Sequence, residues 1–148
     1  VFSMKQWNIY LSGEIHTDWR KQIEQGCKSL PVVFTSPVTV HELSDAAGDH
    51  LGHAEDPFWR DHQSSKVNAI RTQTLINDCD LAIIRFGDKY KQWNAAFDAG
   101  QCAALSKPYI TLHDESIIHP LKEVDAMALA WAKTTDDIIK IIEYVIKQ

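Results

Sequence analysis

The chain has 148 residues, 45% hydrophobic and 24% charged, which is the balance of one globular domain rather than a disordered segment. No apolar run reaches the roughly 20 residues that span a bilayer, and residues 1–6 lack the basic-then-apolar order of a signal peptide. The lack of such an apolar run disfavours a membrane as partner, and a net charge of -5 disfavours a nucleic acid polymer. Three widely spaced cysteines favour a reducing compartment. We therefore expect a cytoplasmic protein that acts on small molecules.

Strand-forming runs alternate with helical periodicity along the chain. The first half of the chain is predicted to form a strand at 8–12, a helix at 17–30, a strand at 32–35 and an irregular stretch at 36–65. A helix at 67–78, a strand at 81–84, a helix at 92–105 and a strand at 109–112 follow. The chain then continues with a loop and short helix at 116–124, an edge strand at 128–131 and a last helix capped by Thr134. The long irregular stretch is typical of a functional or mobile segment.

This alternation predicts the fold class. Strands joined through helices require right-handed crossovers and therefore a parallel sheet. We expect one α/β domain over residues 1–148, with five strands and helices on both faces of the sheet.

The fold class in turn predicts where a ligand binds. In such folds ligands lie outside the carboxyl ends of the strands. That rule selects Gly13, Glu14 and His16 after the first strand, Gly87 after the third, and residues 113–115 after the fourth. The chain carries no GxxxxGK[ST] loop for a nucleoside triphosphate, no GxGxxG turn for a dinucleotide and no GxSxG elbow for a serine hydrolase. No sequence motif therefore supports these three kinds of site.

Asp98 lies near the middle of a predicted helix otherwise rich in small residues. Asn94 lies one turn earlier, and Trp93 lies beside it. A carboxylate in such a pocket can attack an anomeric carbon or act as a base toward water. A solvated helix-surface aspartate is the alternative reading.

The densest group of potential metal ligands lies in the irregular stretch and comprises Asp49, His50, His53 and Asp56, followed by Asp61 and His62. Ligands three residues apart can share a helical turn and suit zinc or another first-row metal. The neighbouring glycines and Pro57 disfavour a helix here, and a polar lid explains the same residues. We predict neither a metal nor a cofactor.

Four segments resemble a known family: IYLSGEIHTDWR at 9–20, CDLAIIRFG at 79–87, YKQWNAAFDAGQCAALSKPYI at 90–110 and SIIHPLKEVDA at 116–126. They are similar to the YtoQ branch of the nucleoside 2-deoxyribosyltransferase-like family, over nearly the whole chain. The resemblance implies a flavodoxin-like fold, a three-layer α/β/α sandwich. It also implies homo-oligomers whose pockets are completed by neighbouring subunits.

The resemblance also assigns roles to individual residues. The family's strand pattern Tyr-Leu-x-Gly is matched by Tyr10, Leu11 and Gly13, and its helix with a nucleophilic glutamate is matched by residues 97–100. Asp98 then takes the place of the glycosyl-accepting carboxylate, Tyr10 orients it, and Gly13 admits the sugar.

Two positions depart from the family pattern. Asp98 is one methylene shorter than the usual glutamate. Many members carry an aspartate eight residues before the aspartate that opens the third strand, and here that position holds Thr72. The adjacent Arg71 suits a phosphate or carboxylate on the ligand.

We therefore predict cleavage or transfer at the N-glycosidic bond of a nucleoside or nucleotide. The predicted catalytic residues are Asp98 and Tyr10, and the predicted substrate-binding residues are Gly13, Glu14, His16, Arg71, Gly87, Trp93 and Asn94. Two alternatives remain open. One is a non-catalytic nucleotide-binding or sensing module on the same scaffold, and the other is a metal-dependent hydrolase that uses His50 and His53.

Overall fold

The computed structural model describes residues 5–40, 43–44, 46–52 and 55–148. Its single sheet has five strands: β1 (Trp7–Gly13), β2 (Val32–Thr35), β3 (Leu81–Arg85), β4 (Tyr109–Leu112) and β5 (Ala130–Ala132). All neighbouring strands are parallel, in the order β2-β1-β3-β4-β5. This is the flavodoxin-like order, so the predicted fold class is confirmed.

The α-helices that the described residues form on the sheet are α1 (Trp19–Gly26), α2 (Pro57–Asp78), α3 (Trp93–Ala104), α4 (Lys122–Met127) and α5 (Thr135–Lys147). Short 3-10 helices span Ala47–Leu51 and Glu115–Ile117. No helix in the described ranges is long and apolar enough to cross a membrane.

Alternate side chains of each strand point to opposite faces and build two apolar layers. One layer packs the sheet against α1 and α5 through Ile23, Ile138 and Ile142. The other packs it against α2, α3 and α4 and includes Tyr10 and Ile84 from the sheet. On that side α3 contributes the small residues Ala95, Ala99 and Cys102, which allow the helix to lie close to the strands.

Helix α2 begins ten residues before the predicted start. Asp56 is its N-cap and accepts a hydrogen bond from Phe58 N at 2.8 Å, and Pro57 occupies the first turn, where no intrahelical N–H donor is needed. The first half of α2 has no apolar period because most of it is exposed; the helix buries only Ser64 and Ile76. Periodicity therefore missed it, although the Asp-Pro start was visible in the sequence.

The C-terminal region follows the prediction closely. Thr134 caps α5 by accepting a hydrogen bond from Asp137 N at 3.1 Å. Strand β5 begins two residues later than predicted, and its Ala130 pairs with Ile110 of β4. The four strands predicted at 8–12, 32–35, 81–84 and 109–112 are parallel neighbours in one sheet.

Candidate functional site

An open cleft of about 810 Å³ lies at the carboxyl end of β1, between α2 and α3. This volume is in the range of small-molecule sites. Its walls are formed by Ser12–His16, Pro37, Val38, Ser44, Asp61, Ser64–Lys66, Asn68, Ala69, Thr72, Tyr90–Ala95, Phe97 and Asp98.

A buried carboxylate lies against the end of β1. Asp98 is 9% exposed, and its Oδ2 accepts a hydrogen bond of 2.6 Å from the Ser12 hydroxyl. Tyr10 is fully buried on the same strand face, and its hydroxyl has no hydrogen-bond partner of good geometry among the described residues. It still interacts closely enough with Asp98 to lower the pKa of that carboxyl. The strand thus brings two hydroxyl groups to one carboxylate.

Burial controls the charge state of this group. Loss of solvent raises the pKa of Asp98 above its ordinary value of 3.8, and the interactions with Ser12 and Tyr10 only partly offset that rise. Burial, followed by the negative charge of Asp98, also raises the pKa of the Tyr10 phenol, so the phenol remains a proton donor. A carboxylate with a raised pKa in a cleft is typical of a catalytic group.

The turn after β1 is organised by Glu14. Its carboxylate accepts hydrogen bonds from Thr17 N at 2.7 Å, from Thr17 Oγ1 at 2.6 Å and from the backbone amide of His16. Arg85 Nε, at the end of β3, lies 3.1 Å from Glu14 Oε2. Burial raises the pKa of Glu14, but these donors outweigh it and lower the pKa below its ordinary value. Glu14 therefore lines the cleft as a carboxylate whose negative charge is already stabilised by donors of the protein itself.

Arg20 fixes the backbone of the same turn from the opposite face. Its guanidinium donates to the carbonyl oxygens of Leu11, Gly13 and Glu14 at 3.0, 3.1 and 2.7 Å. Burial lowers its pKa to about 10. The charge is balanced by backbone dipoles, which makes the end of β1 a rigid support for Ser12.

Two glycines allow the close packing of this edge. Gly13 has φ +115°, and a Cβ there would lie 2.1 Å from the Arg85 carbonyl oxygen. A Cβ at Gly87 would lie 2.9 Å from Glu14 Cγ. Both positions therefore need glycine so that the turns after β1 and β3 can touch.

The wall opposite Asp98 comes from the first part of α2, which presents the polar residues Asp61, Ser64, Ser65, Asn68 and Thr72. The Asn68 amide donates to the Ser44 carbonyl at 3.1 Å and holds that segment against the helix. The Thr72 hydroxyl donates to the Asn68 carbonyl at 3.0 Å. Sequence reasoning missed most of this wall because it falls within the stretch predicted to be irregular.

Aromatic side chains form the rim. The ring centroids of His16 and Tyr90 lie 4.5 Å apart. Trp93 and Phe97, one turn apart on α3, are 76% and 65% exposed. Flat apolar surfaces at the mouth of the cleft suit stacking on a planar ring.

The structure brings six of the predicted site residues into the cleft wall: Gly13, Glu14, His16, Trp93, Asn94 and Asp98. The other three lie beside it. Tyr10 lies behind Asp98, Gly87 packs on Glu14, and the Arg71 guanidinium donates to the Ser36 carbonyl at 2.7 Å. Ser12 was not predicted, although it lies two residues after Tyr10 and therefore on the same strand face.

Among the side chains that the structure describes, no group of three potential metal ligands comes together. Asp49 forms an ion pair with Arg60 at 3.6 Å, and Asp56 is committed to the start of α2. His53 and the side chain of His50, the two histidines of the alternative metal site, lie outside the described part of the chain.

Fold and cleft together define a flavodoxin-like α/β domain with a buried carboxylate at the carboxyl edge of its sheet. The family model described as "Nucleoside 2-deoxyribosyltransferase YtoQ" matches residues 10–146. The chain belongs to this family. The uncharacterized protein YtoQ of Bacillus subtilis (strain 168) is 40% identical over 140 residues, which cover 93% of this chain and 95% of that protein.

Two solved structures share the fold. A conserved protein from Enterococcus faecalis V583 is 14% identical with a TM-score of 0.66, over 97% of this chain and 99% of its own. The 2-deoxyribosyltransferase of the psychrotolerant bacterium Bacillus psychrosaccharolyticus is 20% identical with a TM-score of 0.57, over 89% of this chain and 90% of its own. At these identities the similarity shows a common fold.

Proposed function

We propose that this protein cleaves or transfers the N-glycosidic bond of a nucleoside or nucleotide, with Asp98 as the nucleophile. One observation carries the proposal: a buried carboxylate, held by a strand hydroxyl, lies in the wall of a cleft of small-molecule size. Membership of the family supports the substrate class.

The reaction would proceed in two displacements. An oxygen of the Asp98 carboxylate bonds to the anomeric carbon while the bond from that carbon to the base nitrogen breaks. The base leaves with the bonding electron pair and takes a proton from water. Water or a second base then attacks the anomeric carbon and frees the carboxylate, and the proton of the attacking group passes to solvent.

The other predicted residues would bind and orient the substrate. Trp93 would stack on the base at the rim, Asn94 and His16 would offer hydrogen bonds, and the glycine at position 13 would let the sugar approach the strand end. Tyr10 would keep its phenol proton beside Asp98 and orient the carboxylate.

The direct test is turnover of a panel of nucleosides and nucleotides, both ribo and 2-deoxy, with and without a free acceptor base, followed by chromatography of the released base. Asp98→Ala and Asp98→Asn should lower the rate by several orders of magnitude, because neither side chain can form the glycosyl ester. Asp88→Asn, in the exposed turn after β3, is the matched control and should retain full activity. If Asp98→Asn were as active as the wild type, Asp98 would be excluded as the nucleophile.

Asp98→Glu is a sharper probe of the pocket. Its carboxylate lies one methylene further from the backbone and cannot keep the 2.6 Å contact with Ser12 without rearrangement. We expect lower activity than with aspartate. Glutamate activity equal to or above that of aspartate would mean that the pocket accepts the family's usual nucleophile.

Measuring both turnover and binding of the same compounds separates catalysis from binding. If the wild type binds a nucleotide but turns over none of the panel, the non-catalytic nucleotide-binding or sensing module becomes the better interpretation.

We also propose a cytoplasmic homo-oligomer. The three cysteines are free and buried, as expected in a reducing compartment. Tyr90, Trp93 and Phe97 expose large apolar surfaces at the cleft mouth. A second copy that packs on this rim would bury them and narrow the opening.

A further inference from the structure

The hydroxyl that holds Asp98 belongs to a residue outside the matched strand pattern. Ser12 occupies the variable position of Tyr-Leu-x-Gly, is 1% exposed, and donates to Asp98 Oδ2 at 2.6 Å. A serine hydroxyl carries one proton, so this bond commits its only donor to the carboxylate. The two residues are 86 positions apart, and only the packing of α3 on β1 joins them.

Ser12 is itself rigidly placed. It pairs with Ile84 in the parallel ladder between β1 and β3. The next residues of its strand are held by the Arg20 guanidinium through the carbonyls of Gly13 and Glu14. A donor fixed in this way can hold a partner in one orientation without reorganising during a reaction.

The neighbouring Tyr10 contributes differently. Its hydroxyl, although buried, lacks a hydrogen-bond partner of good geometry among the described residues. Among the described residues, the short hydrogen bond of good geometry to the carboxylate comes from Ser12, and Tyr10 adds a secondary interaction. The short side chain of aspartate suits this arrangement because it places the carboxylate within 2.6 Å of the Ser12 hydroxyl.

We propose that Ser12 is the positioning residue of Asp98: it holds Oδ2 and leaves the second carboxylate oxygen to attack the anomeric carbon. The inference rests on the proposed function for its chemistry. Its structural half, the coupling of Ser12 to Asp98, can be measured without turnover. The Ser12 bond also lowers the pKa of Asp98 against the effect of burial, so it keeps more of the carboxylate ionised at neutral pH.

The kinetic test compares Ser12→Ala with the wild type. Loss of positioning should lower kcat on the order of 100-fold with little change in KM, because the base and sugar contacts remain. The acidic limb of the pH profile should move to higher pH. Ser12→Thr, which keeps the hydroxyl on a strand-compatible side chain, should restore part of the rate.

The matched control is Thr111→Val. Thr111 lies two strands away in the same row of the sheet, is fully buried, and its hydroxyl has no hydrogen-bond partner in the described chain. Removing that hydroxyl should leave both kcat and the pH profile unchanged. A Ser12→Ala rate no lower than that of Thr111→Val would overturn the inference.

A second readout needs no substrate. NMR titration of the Asp98 carboxyl carbon should show a higher pKa in Ser12→Ala than in the wild type or in Thr111→Val. An identical titration in all three proteins would overturn the coupling. If the wild type turns over no nucleoside, the proposed function fails, and the titration still decides whether Ser12 holds Asp98.

Discussion

Arg85 and Glu14 join the ends of β3 and β1, with Arg85 Nε 3.1 Å from Glu14 Oε2. The same carboxylate accepts the amides of His16 and Thr17 as the chain turns toward α1. One buried anion thus ties two neighbouring strands to the entry of a helix. It fixes the edge of the sheet on which Asp98 and Ser12 meet.

Glu14→Gln should destabilise the protein by about 1.5–3 kcal/mol at pH 7, because the donors lose a charged partner. The native pKa of Glu14 lies below its ordinary value of 4.5, so the ionised form stabilises the fold above that pH. This stabilisation is lost as the pH falls through the lower native pKa. Urea unfolding from pH 7 downward should show the two proteins converging in acid. The exposed Glu123→Gln is the control, and an effect of equal size there would contradict the assignment.

Asp98→Asn should stabilise the protein at neutral pH by on the order of 1 kcal/mol, since a buried ionised group is removed and the amide oxygen can still accept from Ser12. The native pKa of Asp98 is raised above 3.8, so its contribution to stability is greatest below 3.8 and falls as the pH rises through the native value.

The stability gained by Asp98→Asn should therefore be small in acid and increase toward neutral pH. Thermal unfolding of both proteins across that pH range measures it. A gain of constant size at every pH would mean that the charge of Asp98 is not its origin.

Gly13→Ala should cost about 3 kcal/mol or more, because the position has φ +115° and the added methyl would lie 2.1 Å from the Arg85 carbonyl oxygen. Gly100→Ala is the control on α3, where a methyl meets no atom within 4 Å. That substitution should stabilise the helix by about 0.5–1 kcal/mol. Chemical denaturation of both variants measures this difference in stability. Equal unfolding midpoints for Gly13→Ala and Gly100→Ala would contradict the prediction.

The exposed rim predicts self-association. Analytical ultracentrifugation at micromolar concentration should show an oligomer, and Trp93→Glu should shift it toward monomer by placing a charge in the interface. Tyr144 on α5 is 70% exposed but lies on the other side of the sheet, so Tyr144→Glu should sediment as the wild type does. A monomeric wild type would remove this part of the proposal.

Local sequence patterns determined the sheet and most of its helices. The run from Leu81 to Ile84 is apolar at every position because both of its faces are covered, and Thr134 marks the start of α5 by its own side chain. Asp98 stood out for a local reason too, as a charged residue among small packing residues of one helix. Such features depend on neighbours within a few residues, which the sequence displays directly.

Only the tertiary structure decided what Asp98 touches. Its bond to Ser12 spans 86 residues and depends on which strand α3 crosses, and the first half of α2 became a cleft wall without any apolar period of its own. Arg71 likewise pairs with a carbonyl in the segment after β2, a contact that local spacing does not encode. The physical reason is that periodicity records which face of an element is buried, whereas the partner across that face is fixed by strand order, register and helix packing together.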